Sequence, residues 1–110
     1  MDTNANQQVG VDHDIKIMRG VDNRAVPPQP MPTLFTGQTV RYSSDDGTVT
    51  IEFPDGSPFA ETSVEDSQVV VVRNVGKFHC NCLIELKNGE GKVGWDSKSG
   101  LSGADHDVPH

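Results

Sequence analysis

The sequence predicts an all-β fold, an antiparallel two-sheet β-sandwich, on three observations. Residues 78–87 alternate: Phe78, Cys80, Cys82, Ile84 and Leu86 on one side, His79, Asn81, Glu85 and Lys87 on the other, with only Leu83 out of pattern. A period of two with one apolar face is the mark of a half-buried strand. Asn88-Gly89 and Asp46-Gly47 each stand between two such segments. Both pairs suit a type I′ hairpin, whose two central residues need positive φ. Finally, no stretch carries helical periodicity, and only residues 61–68 leave room for a short helical turn.

In chain order, residues 1–32 read as a flexible N-terminal segment. Met1 to Asp12 is a polar tail, residues 14–18 form one short strand, and Pro27, Pro28, Pro30 and Pro32 make an extended connector. The sandwich domain is expected over 33–96. In it, Asp46-Gly47 would place Tyr42 opposite Ile51 and Val40 opposite Phe53, with Arg41 facing Glu52. The run Val69-Val70-Val71-Val72 suits a strand covered on both faces. Residues 74–77 then turn the chain into the cysteine strand. A two-residue loop at Asn88-Gly89 sets Glu85 opposite Lys92, Ile84 opposite Val93 and Cys82 opposite Trp95. The four-residue alternative would oppose Lys87 and Lys92, which is unfavourable. Residues 97–110, rich in Gly, Ser and Asp, read as a loosely ordered tail.

Composition bounds the function. The chain has 110 residues, 34% of them hydrophobic, with a net charge of −7. That charge argues against nucleic acid and against anionic membrane surfaces as partners. The sequence contains no run of 18 apolar residues, so no helix is expected to span a bilayer. The N-terminus lacks the basic and apolar blocks of a signal peptide, so the expectation is a cytoplasmic protein, or one whose leader has been removed. Cys80 and Cys82 lie two apart on one strand face, where a disulfide would be strained. They are expected as reduced thiols acting as small core hydrophobes.

The segment Gly76-Lys77-Phe78-His79-Cys80-Asn81-Cys82, behind the hydrophobic run 69–72, resembles the approach to the metal loop of cupredoxins, the small blue-copper sandwiches. The resemblance implies a cupredoxin-like Greek key, with an immunoglobulin-like sandwich as the alternative. It does not extend to the copper ligands. Leu83, Ile84 and Glu85 follow Cys82 where a ligand His is wanted; Met1, Met18 and Met31 all precede the core; and residues 54–59 contain no His. The His₂Cys set of a type 1 site is therefore not expected.

Other chemistry is sparse. Cys80 and Cys82 with His106 and His110 would make an acceptable tetrahedral set for zinc or copper, although Cys-x-Cys is not a usual structural-zinc spacing. Two Asp-His-Asp triplets, residues 12–14 and 105–107, would clamp a divalent cation if the chain ends meet. Against this, thiols are commonly core and acidic triplets solvated. No nucleophile carries a supporting base: Gly-x-Ser-x-Gly is absent, and His79 and Cys82 point to opposite faces of their strand. Trp95, a stacking platform if exposed, is expected in the core opposite Cys82. The sequence thus points to a non-catalytic binding or interaction module, without cofactor, for an unknown protein or small ligand. The alternative is a metal-binding relative of cupredoxins using Cys80, Cys82 and a histidine.

Overall fold

The computed structural model describes residues 11–20, 24–28, 30–96 and 105–110, and these are all-β. One sheet has the order β1 (His13–Lys16), β4 (Thr39–Ser43), β7 (Val69–Val71). The other runs β10 (Lys92–Asp96), β9 (Asn81–Leu86), β5 (Gly47–Glu52), β6 (Ser63–Glu65). Two short ladders complete the set: β2 (Met18–Arg19) with β3 (Ala25–Val26), and β8 (Gly76–His79) with β11 (Asp105–Val108). Every pairing is antiparallel except β1 beside β4. Both large sheets feed one core, with Ile15, Val40, Tyr42 and Val70 from the first and Val49, Ile51, Val64, Cys82 and Ile84 from the second.

The cysteine segment alternates as its pattern predicts. Cys80, Cys82, Ile84 and Leu86 are buried, and Phe78 packs partly buried against them. The segment is nevertheless two strands. It breaks at Cys80, where the chain leaves the β8–β11 ladder and enters β9, between β5 and β10. The register of β9 and β10 is the expected one, Ile84 with Val93, Glu85 with Lys92 and Cys82 with Trp95. The connection differs: it is a single 3₁₀ turn, Lys87–Gly89, with Gly89 at φ 72°, rather than a type I′ turn. The Leu86 amide donates to the Gly91 carbonyl and closes the loop. The side chain of Trp95 lies outside the described residues.

The hairpin expected at Asp46-Gly47 does not form. β4 pairs with β1 and β7, while β5 pairs with β9 and β6, so Tyr42 and Ile51 lie in different sheets. Both strands still turn their apolar residues into the same core, and for that reason their patterns mimic a hairpin. The crossing is tied down by polar contacts: the Asp46 amide donates to Ser44 Oγ, and the Asp46 carboxylate accepts from the Arg19 amide. Gly47 is required there. A Cβ at this position would drive into the backbone carbonyl of Glu85 on β9. Gly47→Ala is accordingly expected to cost about 2 kcal/mol or more through forced backbone movement, read as a shift in the urea midpoint. A variant as stable as the parent would mean that β5 and β9 are not so closely apposed.

Three further expectations are corrected. Residues 61–68 hold β6 and a tight turn with Ser67 at φ 64°, not a helical turn. β7 is an edge strand covered on one side, with Val70 buried and Val69 48% exposed. The core also reaches beyond 33–96. Ile15, Ile17, Ala25 and Met31 are buried before it, and His106 and Val108 after it. The strand expected at 14–18 exists as β1 and β2, divided at the buried Ile17. The tail at 97–110 contains β11, while 97–104 lie outside the described residues, as do 1–10 of the N-terminal tail.

Candidate functional site

Two features stand out: a buried polar cluster that joins β4, β11 and Pro32, and an apolar groove that Pro32 also lines. The cluster begins with Tyr42. Its place on β4 faces the core, so a phenol buried there needs a partner for its hydroxyl. That partner is Nε2 of His106, 2.8 Å away. His106 sits on β11, where His106 and Val108 point inward and Asp105 and Asp107 are more exposed. Nδ1 of the same ring lies 2.9 Å from the Pro32 carbonyl oxygen.

These partners fix the tautomer. A carbonyl can only accept, so Nδ1 carries the hydrogen and donates to Pro32. In the neutral ring Nε2 then accepts, and Tyr42 O–H donates. Burial holds the imidazole neutral by pushing its pKa down to about 4. His13 lowers it further, whereas the Pro32 hydrogen bond and Asp105 oppose the shift. The Tyr42 hydroxyl is pushed well above 10, first by burial and then by the neighbouring thiols of Cys80 and Cys82.

The cysteines line the same interior. Neither is in a disulfide. The Cys82 thiol is pushed well above its usual range by its hydrogen bond with Cys80 and by burial. A buried thiol held protonated is a poor nucleophile and a poor metal ligand. The four residues Cys80, Cys82, His106 and His110 are not assembled: both nitrogens of His106 are engaged elsewhere, and His110 is exposed at the chain end. Nor do the Asp-His-Asp triplets converge on a cation. Asp12 accepts from the Thr39 amide, His13 bonds Gln38, Asp14 pairs with Arg41, and Asp105 pairs with His79 at 2.8 Å. Among the described residues, no group of three or more His, Cys, Asp or Glu side chains is arranged to hold a metal. Adding Cu²⁺ to the protein is therefore expected to give no intense thiolate-to-copper absorption, the signature of a His₂Cys site. Such a band at one copper per chain would show that Cys82 reaches two imidazoles.

The groove, of about 430 Å³, runs along β1, an outer strand of its sheet. Ile15, Met18, Val26, Pro27, Pro28 and Pro32 line it, with Asp14 and Lys16 from the same strand. Met18 is 63% exposed, the most open of the large hydrophobic residues described. One wall is the proline segment. Prolines lack the amide hydrogen and cannot close up on a strand edge by pairing with it.

Neither feature is apparent in the sequence reading. The alternation of His106 and Val108 signals a strand, but it is short and follows a Gly- and Ser-rich stretch. The groove depends on residues 14–18 folding beside 26–32, which no local pattern specifies. Comparison with protein-family models, with characterised proteins and with solved structures finds no match for this chain.

Proposed function

We propose that this protein is a non-catalytic β-sandwich binding module, without a type 1 copper site, and that the groove beside β1 is its binding face. The observation that carries the reading is an open apolar groove set against an outer strand, with the exposed Met18 on it. Such a strand offers backbone hydrogen bonds to an extended segment, while an adjacent apolar trough takes every second side chain. The partner that fits is an extended polypeptide with alternating apolar residues. Its remaining positions would be basic, matching a chain of net charge −7. The cupredoxin-like family assignment is part of the same proposal, supported by the segment 76–82 and the all-β architecture. The residues that would be reactive in other settings are occupied structurally: His106 bridges Tyr42 and Pro32, and the thiols are sealed in the core.

The test is titration of the ¹⁵N-labelled protein with a hexapeptide of alternating leucine and lysine. Shift changes are expected to concentrate on residues 14–18 and 26–32, and Met18→Asp is expected to weaken binding at least tenfold. Changes centred instead on the outer face around Leu83, or no binding at millimolar peptide, would defeat the proposal.

A further inference from the structure

The proline wall of the groove is held from one side by β11. Two hydrogen bonds do this, one from His106 Nδ1 to the Pro32 carbonyl and one from the Leu34 amide to the Asp107 carbonyl at 3.0 Å. The same imidazole accepts from Tyr42, so a single buried ring joins β11, β4 and the segment that ends the proline stretch. We propose that β11 is an acid-sensitive latch on this wall: a second proton on the His106 ring releases the strand and frees residues 32–34. The inference rests on the groove reading for its functional meaning, but the opening is measurable without any ligand.

The geometry explains why that proton is costly. Nε2 already receives the Tyr42 hydrogen, so a proton there forces the phenol to reverse and leaves its own hydrogen without that acceptor. The new charge would sit in a site with no exposed surface. Around the ring, His13 on β1 opposes the charge and Asp105 on β11 favours it. Tyr42 on β4 faces the ring directly, with the Cys80 and Cys82 thiols beyond it. Asp105 is itself bonded to His79 on β8. Opening β11 gives the imidazole water at the expense of one four-residue ladder, the hydrogen bonds with Pro32, Tyr42 and Leu34, and the Asp105–His79 pair. Unfolding the β5–β9 ladder would sacrifice much more, so the strand is expected to yield first.

Between the ordinary imidazole range and about 4, each unit of acid multiplies the open population by roughly ten. Hydrogen exchange on the full chain, corrected for intrinsic rates, tests this. From pH 7 to 4.5, protection at Leu34 and on β11 is expected to fall by about 50- to 100-fold, and at each pH to lie below that of the β5 and β9 amides, which open only with the whole fold. His106→Gln, which can still donate to Pro32 and accept from Tyr42 but cannot take a proton, is expected to flatten the profile. Protection of β11 that is independent of pH, or that equals the protection of β5 and β9 at each pH, would overturn the latch. If the variant does not fold, NMR of the wild-type ring decides instead. Protonation coinciding with loss of β11 protection supports the latch, and a ring that protonates while β11 stays protected overturns it. The leucine–lysine hexapeptide separates the two proposals. No binding at pH 7.5 defeats the groove and leaves the exchange result standing, whereas binding with pH-independent protection defeats only the latch.

Discussion

Phe59→Ala is expected to lower the unfolding free energy by about 3–5 kcal/mol, the range for removing a fully buried aromatic ring. For a chain of this size that is a large share of a total of about 5–15 kcal/mol. Phe59 is 1% exposed and meets Tyr42 edge-on at 6.4 Å and Phe53 at 5.6 Å between ring centroids. Such edge-to-face pairs add about 0.5–1.5 kcal/mol beyond area burial. The cavity cannot collapse easily, because the loop carrying Phe59 is fixed on both sides. The Arg73 and Asn74 amides donate to the Pro58 carbonyl at 2.7 and 3.1 Å, and the Asn74 side chain donates to the Ser57 carbonyl. Ser57 Oγ accepts from the Phe59 amide in turn. Phe35→Ala is the comparison, since Phe35 is 51% exposed and its loss is expected to change stability by no more than about 0.5 kcal/mol. Urea unfolding of both variants checks the contrast. Equal losses would mean that Phe59 is not the ring that fills the core.

How far the sequence discloses this arrangement differs from element to element, and the differences have physical causes. The β9–β10 register was legible because charge pairs and apolar pairs agreed on one alignment, so a slip by one residue would have reversed both faces. The supposed hairpin at Asp46-Gly47 was misread for a related reason. A strand facing the core from the opposite sheet has the same alternation as a hairpin partner, and only the non-local pairing of β4 with β7 and of β5 with β9 distinguishes the two. The run 69–72 reads as doubly covered because β-branched residues suit any strand, edge or centre. The cysteines were read correctly as interior. His106 was not: a histidine between two aspartates suggests a solvated or metal-binding residue, and its burial depends on a donor and an acceptor more than sixty residues away in sequence. Candidate groups of that kind are invisible to spacing arguments, because non-local packing alone decides whether they are sealed or exposed.

The same ring is expected to weaken the whole fold in acid. In the unfolded chain an imidazole takes its proton near 6.5, whereas His106 in the native state resists until about pH 4. Above pH 6.5 both states hold the ring neutral, and its contribution to stability is fully present. As the pH falls from 6.5 towards 4, the unfolded state binds a proton that the native state refuses, so the unfolding free energy falls. Below about pH 4 the native ring is protonated too and this particular loss stops growing. At 1.36 kcal/mol per unit, the interval amounts to about 3 kcal/mol. Little of it should be lost to solvent screening, because His106 has no exposed surface. Urea unfolding at pH 7.5 and 4.5, for the wild type and for His106→Gln, isolates the effect from that of the sixteen carboxylate side chains common to both. The wild type is expected to lose about 2–3 kcal/mol more than the variant over this interval. Equal losses in the two proteins would place the acid sensitivity elsewhere and would mean that the His106 ring reaches a proton acceptor or water in the folded state.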